Sequence, residues 1–81
     1  MTDIDEFIAL LRRVAGGEEP VEAVEAWFAD REDELKSGTR LALKGAVQEA
    51  LARTWIWRSH HSTEAELRAA LGALASRLAR T

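Results

Sequence analysis

Apolar residues recur at helical spacing along this whole chain, and no window alternates in the period-two manner of a β-strand. Three interruptions divide the pattern: Gly16-Gly17 with Pro20, then Ser37-Gly38-Thr39, then His60-His61-Ser62-Thr63. The expectation is an all-α fold, a compact four-helix antiparallel bundle, with residues 1–81 forming a single helical domain.

Each segment carries its own signals. The first, about Asp3 to Ala15, sets Ile4, Phe7, Ile8, Leu11 and Val14 on one stripe. Thr2 or Asp3 can cap it, and Gly16-Gly17 supplies the stop. The second is expected from Pro20, at the favoured first helical position, to Lys36. Val21, Val24, Phe28 and Leu35 share its face, with Trp27 at the edge and Glu22 set well against the helix dipole. Thr39 is the next candidate N-cap.

The third segment, about Arg40 to Ser59, aligns Leu43, Ala46, Val47, Ala50, Thr54 and Trp57. Leu51 flanks that stripe, whereas Leu41, Trp55 and Ile56 fall outside it. The fourth opens on a capping box, Thr63-x-x-Glu66, and continues to about Leu78 with Leu67, Leu71, Leu74 and Leu78 in one seam. Ala69, Ala70, Ala73 and Ala75 are expected to let a neighbouring helix come close.

At 81 residues with no cysteine, neither disulfides nor a thiolate zinc site can staple the fold. A chain this short buries only about 60–65% of its unfolded surface, so apolar packing must carry it. The N-terminal "MTDIDEFIALLRR" is acidic where a secretory signal would be basic, and no apolar run is long enough to span a bilayer. A soluble, cytoplasmic protein with no membrane partner is expected.

Net charge is −3, but unevenly placed. Residues 1–34 hold 11 acids against Arg12, Arg13 and Arg31, while residues 35–81 hold 8 bases against Glu49, Glu64 and Glu66. The two halves either offset each other inside the fold or present an acidic surface to a basic partner.

No pattern in the chain specifies catalysis. His60 and His61 are adjacent, so on a helix their rings would diverge by about 100°, and no HExxH-type spacing accompanies them. They read as solvated turn residues. Ser37, Ser59, Ser62 and Ser76 lack a glycine elbow, and Gly16-Gly17 follows a helix instead of a strand, unlike a phosphate loop. No metal, cofactor or enzymatic activity is expected. Nucleic-acid binding is unlike this chain, because Arg40, Lys44, Arg53, Arg58, Arg68, Arg77 and Arg80 are dispersed and the acidic half would repel phosphate. A weak nucleic-acid binder through the basic half is one alternative function.

"RTWIWRSHH" (Arg53 to His61) offers instead Trp57 in phase with the core, and Trp55 and Ile56 out of phase beside arginines. Exposed Trp beside Arg is the composition of a binding hot spot. The partner-binding candidates are therefore Glu22, Glu25, Asp30, Glu32, Asp33 and Glu34 as an acidic face, with Trp55 and Ile56.

The stretch "DEFIALLRRVAGGEEPVEAVEAWF" (Asp5 to Phe28) resembles the opening of the bacterial self-protective, colicin-like immunity proteins. It shares a short first helix with "F-I-x-L-L", a "G-E" turn, and a second helix with acids and an aromatic pair; "STEAELRAAL" is similar in outline. The resemblance implies a small helical cytoplasmic inhibitor that binds a toxic nuclease. The chain departs from that pattern at "ARTWIWRSHH", where more acids are typical. The leading expectation is a non-catalytic protein-binding module, its sharpest version an immunity protein occluding a basic nuclease toxin through its acidic face. Its rival is a self-associating scaffold, a homo-oligomer built through Trp55, Ile56 and the alanine-rich last helix.

Overall fold

The computed structural model describes residues 3–33 and 41–80. Among the described residues four helices build the architecture: α1 (Asp3–Ala15), α2 (Ala23–Asp30), α3 (Leu41–Arg58) and α4 (Glu64–Ala79). Thr2, Leu35 and the Ser37-Gly38-Thr39 stop lie outside the described residues, as does Glu34. The chain forms an all-α, four-helix bundle. The contacts α1–α4, α3–α4, α1–α2 and α2–α3 make a ring in which neighbours run antiparallel. One end of that ring gathers the C-termini of α1 and α3 with the N-termini of α2 and α4.

The core follows the stripes. Phe7, Leu11, Val14, Val24, Val47, Ala50, Leu67, Leu71 and Ala75 are shielded almost completely from solvent. Each large one among them contributes about 1.5–3 kcal/mol of burial. Leu10 is also buried, off the expected α1 stripe. Its burial follows from α1 packing on two neighbours, α2 and α4, which widens the covered face. Phe7 of α1 and Trp27 of α2 meet with ring centroids 4.9 Å apart at 40°, a tilted geometry suited to the ring quadrupoles. Trp57, expected in the core, is only half-buried at its rim.

Two helices end in the same way. Gly17, at φ +83°, sends its N–H to the Val14 carbonyl at 3.1 Å, and Glu18 reaches Arg13 at 2.9 Å. At the end of α3, His60 at φ +64° bonds Trp57 at 3.0 Å, and His61 bonds Ile56 at 3.0 Å. Both are Schellman closures, with the left-handed residue just past the helix. The expected capping box of α4 forms: Thr63 Oγ1 accepts from the Glu66 N–H, and Glu66 Oε1 accepts from the Thr63 N–H, each at 3.1 Å.

The second helix is shorter than the sequence predicts. Pro20 is not helical; its carbonyl accepts from Ala23 in a tighter turn that leads into α2. The other end breaks at Arg31, whose N–H goes back to Phe28. There the Arg31 guanidinium lies 4.4 Å from the Trp27 ring centroid and 2.9 Å from Glu6 of α1. These contacts across the bundle compete with continuation of the helix, and helical backbone resumes at Glu32 and Asp33.

Close approach of α4 to a neighbour is also placed differently. Of the four alanines, Ala75 is completely buried and Ala70 half-buried, but Ala69 and Ala73 are exposed, and the tight point is Gly72, where an added Cβ would lie 3.2 Å from the Ala15 Cβ on α1. No helix among the described residues is long and apolar enough to cross a membrane.

Candidate partner-binding surface

α3 projects its buried row, Leu43, Ala46, Val47, Ala50 and Thr54, inward. At about 100° per residue the opposite row faces solvent: Gly45, Gln48, Ala52 and Trp55 are all exposed. Trp55 is 67% exposed, the large apolar side chain that the described surface leaves in water. Arg58 stands three residues on, so it neighbours Trp55 on the same helix. Its guanidinium donates through both Nε, at 3.1 Å, and Nη2 to Glu25 Oε1 on α2. It also lies 5.9 Å from the Trp57 ring centroid. The arginine–tryptophan contact is therefore Arg58 with Trp57, in place of the Arg53–Trp57 and Arg58–Trp55 pairings that spacing alone would allow.

Arg58 thus joins the exposed tryptophan to the acidic side of α2. Glu22, at the N-cap of α2, is exposed one turn from Glu25. Asp30 and Asp33 are exposed further along, and Glu32 is half-buried. The break at Arg31 means that these acids do not form one continuous helical face as expected, and Glu25 is engaged internally. Glu34 lies outside the described residues.

Ile56 parts from Trp55. It is half-buried and lines a groove of about 160 Å³ with Arg53, Ser62, Glu66, Leu67 and Ala70, between α3 and α4. Both are candidate contact residues by sequence, and one of them stays accessible: adjacent helical positions diverge, so Trp55 faces outward while Ile56 turns toward α4.

Arg68 has the densest set of polar contacts at the bundle end where α1 stops. Its Nη1 donates to the Val14 carbonyl and, at 3.0 Å, to that of Glu19, while Nε reaches Glu64 at 3.3 Å. The sequence signals only the last, an i, i+4 pair. The two carbonyls are distant in the chain and leave no local trace. Elsewhere Arg77 pairs with Glu49, and Arg13 lies 3.8 Å from Glu19.

His60 and His61 are both exposed, and among the described residues no three His, Cys, Asp or Glu side chains gather into a group able to hold a metal. Compared with known proteins, the chain matches no family model, no curated protein and no solved structure.

Proposed function

We propose that this chain is a non-catalytic protein-binding module whose contact surface centres on Trp55. The carrying observation is that tryptophan's 67% exposure on a rigid helix, beside the Arg58–Glu25 pair. Covering a large apolar side chain is worth about 1.5–3 kcal/mol, and Trp and Arg dominate measured hot spots. An indole held outward by an 18-residue helix also loses little conformational freedom on binding.

A second reading is supported by the exposed acids Glu22, Asp30 and Asp33 on the α2 side. It assigns them to a basic partner, which they would meet quickly and in a salt-sensitive manner. The resemblance to colicin-like immunity proteins gives this reading its sharpest form: a cytoplasmic chain that covers the basic active site of a nuclease toxin.

The test is calorimetric titration against the product of the neighbouring gene, at low and physiological salt. The first reading expects Trp55→Ala to weaken binding at least about tenfold. The second expects Glu22→Lys with Asp30→Lys to weaken it and flatten its salt dependence. Unchanged affinity in either variant removes the corresponding reading.

A further inference from the structure

The outward row of α3 differs in composition from the rest of the surface. Gly45, Gln48, Ala52 and Trp55 are all uncharged, in a chain that is 31% charged. Their spacing alternates three and four residues, the seam of a two-helix packing. Within it, Gly45 has no explanation in the monomer. It is exposed inside a helix, has no positive φ, and an added Cβ would meet nothing within 4 Å among the described residues. Glycine there weakens the helix by about 1 kcal/mol relative to alanine.

A second copy supplies the missing reason. A two-fold axis crossing α3 at the level of Ala50 exchanges Trp55 with Gly45 and Gln48 with Ala52, so the largest side chain of the row faces the smallest and a polar one faces a methyl. An isologous contact requires this kind of self-complementarity. Charge agrees with it. Lys44 lies on the Arg58 flank of α3, and the axis carries it to the far end of the other copy's α3. There Arg58 is already matched by Glu25, and the exposed Glu22 stands one turn away. Lys44 therefore approaches an acidic edge of the second copy.

We propose that the chain self-associates as an antiparallel two-fold dimer through this face, each Trp55 seated over the other copy's Gly45. This rests on Trp55 being the centre of an interface and names its occupant. The stripe from Gly45 to Trp55 is about 15 Å long at 1.5 Å per residue. Each tryptophan brings at most about 150–250 Å², so the pair and the small residues around it bury less than about 1,000 Å², the size of a weak, transient contact. The dimer is consequently weak and concentration-dependent.

Sedimentation equilibrium of the full chain, from about 10 μM to about 1 mM, spans the relevant affinities. The average mass is expected to rise from 9.0 kDa toward twice that value. Trp55→Ala should raise the dissociation constant at least about tenfold. Gly45→Gln should fill the receiving position and abolish association while raising the melting temperature, since Gln is the better helix former. That combination, a firmer fold with no dimer, is not produced by general destabilisation. A constant 9.0 kDa across the series overturns the proposal, as does Gly45→Gln associating like the parent chain. Binding of a different protein that Trp55→Ala abolishes, with the parent chain monomeric throughout, would keep Trp55 as an interface and end the dimer.

Discussion

The Arg68 guanidinium on α4 donates to the main-chain carbonyl of Val14, 54 positions earlier, at the end of α1. Helices end with carbonyls that have no intrahelical partner, and this one takes the Gly17 N–H on one side and a side chain from the neighbouring α4 on the other. The same group reaches Glu19 in the following loop, so one residue ties helix end, loop and α4 together.

Replacing Arg68 is therefore expected to be costly. Its side chain is 22% exposed, and hydrogen bonds from a charged donor in such surroundings are each worth about 1.5–3 kcal/mol. Arg68→Ala should lose about 2–3 kcal/mol, and Arg68→Lys should recover only part, because one ammonium nitrogen cannot replace Nη1 at the two carbonyls and Nε at Glu64 together. Urea denaturation followed by circular dichroism measures this. Arg77→Ala is the control: its pair with Glu49 is largely exposed, and such pairs contribute under about 1 kcal/mol. Equal losses in the two variants would refute the clamp.

The two Schellman closures predict opposite responses to removing and introducing glycine. Gly17 already suits its positive φ, so Gly17→Ala should destabilise by about 1–2 kcal/mol. His60 occupies the same backbone region with a side chain attached, so His60→Gly should stabilise by up to about 1 kcal/mol. In a domain of this size each kcal/mol moves the melting temperature by about 4–8 °C. Shifts of the same sign would show that the two turns are not equivalent.

Trp55→Ala should leave stability within about 0.5 kcal/mol, as expected for a substitution away from packed or hydrogen-bonded groups. Phe7→Ala, at a completely buried position, should lose about 3–5 kcal/mol. Thermal melts at a concentration low enough to keep the chain monomeric separate the two. A melt of Trp55→Ala as depressed as that of Phe7→Ala would make Trp55 a packing residue after all.

What could be read from the chain followed the range of the forces involved. The span of α1 was legible because Gly17 and the apolar spacing are local, and so was the α4 capping box, whose donors and acceptors lie three residues apart. The end of α2 was not: Arg31 is turned by Glu6 and Trp27, and Glu6 belongs to another helix. Periodicity placed both Trp55 and Ile56 outside the α3 stripe. It could not separate them, because the turn from Ser59 to Thr63 decides which one α4 covers. The left-handed conformation of His60 had no signal, since histidine lacks glycine's preference for it. Charge asymmetry was visible in composition, but the use of Glu25 as an internal partner of Arg58 depends on how α2 and α3 pack.

Thr54 gives a last test, in which a buried hydroxyl should prove dispensable. It is 1% exposed on the inner row of α3, and its Oγ1 donates to the Ala50 carbonyl at 2.9 Å. In an α-helix that carbonyl is already the acceptor for Thr54's own N–H. Removing the hydroxyl therefore leaves no buried group unpaired. Thr54→Val keeps the branched shape and adds an apolar methyl, so its stability should match the parent or exceed it by up to about 1 kcal/mol. Thr54→Ala removes the same hydroxyl but also empties the space of a methyl, and should lose about 1 kcal/mol through the void. Chemical denaturation of the pair distinguishes packing from hydrogen bonding at this position. A Val variant weaker than the Ala variant would show that the hydroxyl is required there.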